Sequence, residues 1–153
     1  MRLARFVFLT AAVYGILVLT PQYFMEAKVG RDFPPPITHP EHFYGFIGVA
    51  LAWQVLFVII ARDPVRYRPA MPVAVLEKLG FGVAAVVLFA QGRLHPAVLG
   101  AGLIDLVLAA LFIAAFRLTP TSGAWASVTT PHVGRGTPGR NADSSQGQEE
   151  LTG

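Results

Sequence analysis

The stretch MPVAVLEKLGFGVAAVVLFAQ, residues 71–91, decides the fold of this chain. At about 1.5 Å of rise per helical residue, a run of this length matches a hydrocarbon core about 30 Å thick. It is apolar enough to be read as a membrane span. It nevertheless carries two adjacent charges, Glu77 and Lys78, inside the run.

Working outward, three more runs of the same kind appear. They are ARFVFLTAAVYGILVLTPQYF at 4–24, HFYGFIGVALAWQVLFVIIA at 42–61 and HPAVLGAGLIDLVLAALFIAAF at 95–116. Arg2 and Arg5, followed by an apolar stretch, also fit a signal peptide. No A-x-A-like site follows it, however, and it is long for a signal core, so a retained first span is expected. The chain is 54% hydrophobic and 14% charged, where soluble domains carry about 25% charged residues. A backbone that crosses lipid must satisfy its own hydrogen bonds, so the runs are read as helices. The expected fold class is all-α, a transmembrane four-helix bundle over residues 1–117.

The connections fit that reading. Residues 25–41, MEAKVGRDFPPPITHPE, hold three consecutive prolines, Pro34 to Pro36, which remove backbone donors and favour an extended external loop. Pro40, Pro72 and Pro96 each stand where helices accept proline, in the first turn. Residues 62–70, RDPVRYRPA, form a short basic turn, and residues 92–94 a tight one. Short turns suggest that spans two and three, and spans three and four, are antiparallel neighbours. Residues 118–153 are rich in Gly, Ser, Thr and Pro. They are expected to be a disordered cytoplasmic tail with Trp125 as its one large apolar anchor.

Loop charges set the orientation. Arg2, Arg5, Arg62, Arg66, Arg68 and Arg117 fall on one side, and Lys28, Arg31 and Arg93 on the other. The positive-inside rule puts the first side, with both termini, in the cytoplasm and the chain in the inner (cytoplasmic) membrane. The formal charge of +3 is accounted for by these clusters, and no nucleic-acid partner is expected. With no cysteine, disulfide and thiolate chemistry are excluded.

Three charged residues lie well inside the runs: Glu77, Lys78 and Asp105. Each costs about 2.5–3.5 kcal/mol on insertion scales, so each needs a reason. Lys78 lies about two turns into its helix and can reach the headgroups by extending its stem. Glu77 shares a helical stripe with Val73, Gly80, Ala84, Val87 and Gln91, small or polar along much of its length, which reads as a face packed on another helix. Asp105 shares one with Ala101, Gly102, Ala109 and Phe112. At matching depths lie Thr10 and Gln54 near Glu77, and Tyr14 near Asp105, where its hydroxyl would satisfy the carboxyl. Span two offers two packing faces, Gly45–Gly48–Ala52 and Phe43–Ile47–Ala50–Gln54–Phe57. The expected inner polar cluster is therefore Thr10, Tyr14, Gln54, Glu77, Lys78 and Asp105. It acts either as a set of clamps fixing helix register or as proton- or ligand-binding groups.

His39, Glu41, His42 and His95 gather on the outer side by sequence. Their types suit zinc, but the spacing is not that of a one-face motif such as H-E-x-x-H. Interfacial and helix-start roles are expected for His39, His42 and His95, with no metal and no cofactor. There is no phosphate loop, nucleophile elbow or dinucleotide fingerprint.

The blocks THPEHFYGFIGVALAWQ (38–54), ARDPVRYRP (61–69) and VLEKLGFG (75–82) resemble a group of small uncharacterised bacterial four-span membrane proteins. The likeness covers residues 4–117. The four-span layout is distantly similar to DoxX-like membrane proteins. That resemblance implies a fold and no activity. Small multidrug transporters share the span count, but their first-span glutamate is missing here. The sequence favours a non-enzymatic accessory or scaffold protein of the bilayer, with a membrane-protein partner or a second copy. The alternative is a small transporter or lipid-ligand-binding protein using Glu77 and Asp105. A membrane enzyme with a buried carboxyl as acid or base is a third, weaker reading by analogy with sterol isomerase-like proteins.

Overall fold

The computed structural model describes residues 2–33 and 36–121. Helix α1 (Arg2–Leu19) continues into a 3-10 turn, Thr20–Phe24. The short α2 (Glu26–Asp32) follows, then α3 (Pro40–Arg62), α4 (Met71–Ala90) and α5 (Pro96–Leu118). No strand occurs among the described residues. Four segments of 23 residues each, Arg2–Phe24, Pro40–Arg62, Arg68–Ala90 and Pro96–Leu118, are long and apolar enough to cross a membrane. The chain is an all-α transmembrane four-helix bundle. The expected tail beyond residue 121, Trp125 included, and Pro34 and Pro35 lie outside the described residues.

Local sequence explains where the helices begin and end. Pro40 and Pro96 open α3 and α5, and Pro72 sits in the first turn of α4. There a missing N–H costs nothing and a fixed φ helps. Gly92 ends α4 with φ of 69°, a left-handed value that suits glycine. Asp63 follows α3, and its carboxylate accepts from the Arg66 N–H at 3.1 Å. The loop between the first two spans is not helical throughout: its residues ahead of the prolines form α2, and residues 36–39 lie outside any helix. On α2, Lys28 pairs with Asp32 one turn on. That hydrogen bond holds the exposed Asp32 carboxyl below the usual carboxylate range. The pair therefore supports α2 above that range and is lost as pH falls through it.

Packing is set by small residues. The most extensive contact is between α4 and α5, followed by α1 with α3 and then α1 with α5. Gly82 and Ala85 of α4 meet Gly102 and Leu106 of α5 closely: a Cβ on Gly102 would stand 2.5 Å from the Ala85 Cβ. On α1, Ala4, Ala11, Ala12 and Gly15 make a smooth buried face. Phe8, Phe57 and Phe112, from α1, α3 and α5, are all fully buried. The Phe8 and Phe112 rings stack with centroids 4.1 Å apart, and Phe57 meets Phe112 edge-on at 5.1 Å. The outer faces carry exposed apolar side chains such as Phe6 (69%), Leu17 (69%) and Leu76 (67%), as lipid contact requires.

Two packing expectations are corrected. Spans two and three, α3 and α4, are joined by a short turn but barely touch. Polar groups and large rings face each other across that seam, so no small-residue surfaces meet there. On α3 the Ile47–Ala50–Gln54–Phe57 face is buried, whereas Gly45 and Ala52 are exposed. One α3 face, not two, does the packing. At the end of the bundle that carries both termini, Arg68 is more than an orienting charge. Its Nε donates to the Thr119 carbonyl at 2.9 Å, and its guanidinium lies 3.9 Å from the Phe116 ring centroid. It ties the α3–α4 turn to the end of α5.

Gly102→Ala is expected to push α4 and α5 apart and cost about 1–3 kcal/mol. Gly80→Ala, at a position with nothing within 4 Å of an added Cβ, is expected to leave stability equal or raise it by up to about 1 kcal/mol. Unfolding in detergent, followed by circular dichroism, compares the two.

Candidate ligand site between the membrane helices

The seam between α3 and α4 opens into a cavity of about 530 Å³. All four long helices and α2 contribute to it. Val18, Leu19, Phe46, Ala50, Phe81, Val98 and Ala101 supply apolar wall. Met25, Val29 and Phe33 close the end away from the termini. Their spacing of four residues puts all three on one face. The lid is anchored from both sides. Glu26 accepts from the Tyr44 hydroxyl at 2.7 Å, and Phe33 meets His95 edge-on at 5.1 Å.

The cavity's polar end is made by Tyr14, Gln54, Glu77, Lys78 and Asp105. Lys78 is central. Its Nζ lies 3.3 Å from Glu77 Oε2 and 3.2 Å from Asp105 Oδ1. It also donates at 3.4 Å to Glu77 Oε1 and Asp105 Oδ2, and sits 5.5 Å from the Phe57 ring centroid. The three side chains are 8%, 16% and 13% exposed for Lys78, Glu77 and Asp105. Lys78 therefore does not reach for the headgroups. It lies on the buried stripe Met71–Ala74–Lys78–Gly82–Ala85, the α4 face that packs inward. At an effective dielectric of about 20, each ion contact is worth roughly 5 kcal/mol of gross attraction. Desolvation of three ions consumes several kcal/mol apiece.

Two acceptors in this cluster are left without donors. Gln54 is 1% exposed, and its Nε2 donates back to the Ala50 carbonyl at 2.9 Å. Its Oε1 is buried with no hydrogen-bond partner, as is Glu77 Oε2. Glu77 Oε2 has a close charge in Lys78 but no aligned donor. Gly15 determines where the Gln54 amide lies: a Cβ on Gly15 would overlap Gln54 Oε1. A buried amide oxygen without a donor costs about 1–3 kcal/mol. Here it lies against Gly15, and both residues belong to the cavity wall.

The structure thus brings together five of the six residues expected by sequence. Thr10 is the exception. It is exposed, because the buried face of α1 runs through Val7, Ala11 and Gly15. Asp105 takes Lys78 rather than Tyr14 as its partner, and its stripe with Gly102, Ala109 and Phe112 is buried. Glu77 reaches the cavity, but the stripe expected to carry it inward faces out: Val73, Gly80, Ala84, Val87 and Gln91 are not buried. The signal that points the right way is the alternative stripe through Lys78, with Ala74, Gly82 and Ala85 at helical spacing.

Glu41 Oε1 lies 3.1 Å from His39 Nδ1 and 3.3 Å from His42 Nδ1. The ligand atoms of these residues lie within 4.8 Å of one another. His95 stands apart from them. Its Nδ1 accepts from the Ala97 N–H at 3.2 Å and caps α5. Both rings beside Glu41 are at least 70% exposed. The carboxylate stands in the first turn of α3 and is shared by the two imidazoles.

Lys78→Met leaves two carboxyls facing one another without their shared cation. A loss of about 3–5 kcal/mol is expected, read as a lower midpoint in detergent unfolding. The double change Glu77→Gln with Lys78→Met is expected to lose less than Lys78→Met alone. No match to the chain was found among protein-family models, curated proteins or solved structures.

Proposed function

We propose that this multi-pass membrane protein binds an amphiphile drawn from the bilayer. The tail occupies the apolar cavity, and the head meets Gln54, Glu77, Lys78 and Asp105. The observation that carries this reading is an apolar cavity of about 530 Å³ whose lining gathers Gln54, Glu77, Lys78 and Asp105. That volume lies within the range of about 300–1,000 Å³ typical of small-molecule sites. The α3–α4 seam is the natural entrance, since these helices barely touch and both present their outer faces to lipid. Phe46 and Phe81 stand across it with ring centroids 6.3 Å apart. The reading needs no chemical step. It is a binding or transport role.

The accessory or scaffold reading retains one observation in its favour. The exposed α4 face through Gly80 and Ala84 is smooth enough for another membrane helix. Under that reading the charged cluster is a clamp, and amphiphiles leave stability unchanged.

A thermal-shift series in non-ionic detergent separates the two. Single-chain amphiphiles with ammonium, hydroxyl and carboxylate heads are added to the purified chain. At least one is expected to raise Tm in a saturable way, by up to about 2.7 kcal/mol of stabilisation at a hundredfold excess over Kd. Ala101→Phe, which fills the cavity, is expected to abolish the shift while leaving the unliganded Tm equal or higher. No shift with any head would overturn the binding reading.

The arginines of the α3–α4 turn and of both ends of the membrane domain support an inner-membrane orientation with both termini in the cytoplasm. The chain has no cysteine, so single cysteines report topology cleanly. In intact cells Lys28→Cys is expected to react with an impermeant maleimide, and Arg66→Cys only after permeabilisation.

A further inference from the structure

The charges around Lys78 do not balance, and the imbalance says what the head group is. Two carboxyls, Glu77 and Asp105, share one ammonium within 3.3 Å. Among the described residues, no other charged side chain lines this end of the cavity. From α1 it receives Tyr14, from α3 Gln54, and from α5 Asp105 alone among titratable groups. The lid contributes Met25, Val29 and Phe33, while Lys28 and Arg31 on α2 are exposed. Arg93 is also exposed, beyond the far end of α4. Fully ionised, the cluster would hold one net negative charge in a low-dielectric setting, which is costly. Neutrality needs one more positive charge. A proton or a cationic ligand can supply that charge.

The hydrogen bonds point the same way. The unsatisfied atoms, Gln54 Oε1 and Glu77 Oε2, are both acceptors. A ligand that brings donors suits the Glu77 and Asp105 carboxyls that line the cavity, and an ammonium brings both donors and charge. An alcohol brings a donor without charge. A carboxylate brings neither and meets two like charges.

Resting on the amphiphile reading above, we propose that the site takes a lipophilic cation with an N–H-bearing ammonium head, and that its binding expels one proton from the Glu77–Lys78–Asp105 cluster. The balance is simple: the cationic ligand enters, one proton leaves to solvent, and the total charge of the site is unchanged. The bilayer is the expected source of the ligand, because the cavity lies among apolar membrane helices of which α3 and α4 barely touch. Affinity then rises as pH rises, up to about tenfold per unit, until the cluster has no proton left to release.

The test uses the full chain in phosphatidylcholine nanodiscs, with empty discs as the partition control. Dodecylammonium, dodecanol and dodecanoate are titrated by calorimetry at about pH 7 in buffers of differing ionisation enthalpy. Dodecylammonium is expected to bind at least tenfold more tightly than dodecanol and to release about one proton per ligand. Dodecanoate is expected to be the weakest. Glu77→Gln and Asp105→Asn are each expected to bring the ammonium and alcohol affinities together and to abolish proton release. Equal affinity of ammonium and alcohol in the wild type, or ammonium binding without proton release, overturns the cation and leaves the amphiphile reading intact. Binding of none of the three overturns both. If a variant fails to fold, the wild-type series still decides.

Discussion

One ammonium, that of Lys78, holds two carboxyls inside a low-dielectric bundle, and much of the remaining structure follows from accommodating it. Three ions cannot be taken from water cheaply, so the helices that bear them must converge. α4 brings Glu77 and Lys78, and α5 brings Asp105. They approach closely because Gly82, Ala85 and Gly102 leave no side-chain bulk between their backbones. On one side Phe57 supplies a ring face to the ammonium, and the Phe8–Phe57–Phe112 stack fills the space beyond. On the other side no ion or aligned donor among the described residues completes the set, and there the cavity begins.

The cavity is a consequence of unequal packing. α1 presents a smooth face of alanine and glycine to α3 and α5, and α4 does the same to α5. No such surfaces meet between α3 and α4. Gln54, Phe46 and Phe81 stand there instead, and a bundle cannot close over an unpaired amide and two opposed rings as tightly as over Gly and Ala. α2 and the residues flanking it cover the end through Met25, Val29 and Phe33. A loop segment thus becomes part of the site.

Part of the site is legible in the residue pattern. The stripes through Asp105 and through Gln54 are small or apolar at helical spacing, and both face inward as that pattern implies. Glu77 does reach the cavity, although the stripe that suggests it faces lipid. α4 carries two small stripes a little over a quarter-turn apart, and hydrophobicity does not choose between them because lipid and the bundle interior are both apolar. Depth along a span suggests Thr10 as a neighbour of Glu77, but depth says nothing about direction around the helix. Lys78 has the position of an ion that escapes to the interface, as a lone lysine near a helix end usually does. It stays because two carboxyls, one beside it on α4 and one across on α5, hold it.

The sequence by itself determined the four spans, their ends at proline and glycine, the all-α class and the charge asymmetry of the loops. These are consequences of transfer free energy and backbone hydrogen bonding, which act residue by residue along the chain. The tertiary structure alone decided which stripe of α4 faces inward, that α3 and α4 stand apart, and that Lys78 joins Glu77 to Asp105. Those outcomes depend on close packing of one helix surface against another and on distances between residues far apart in the chain. No local property of the sequence encodes such distances.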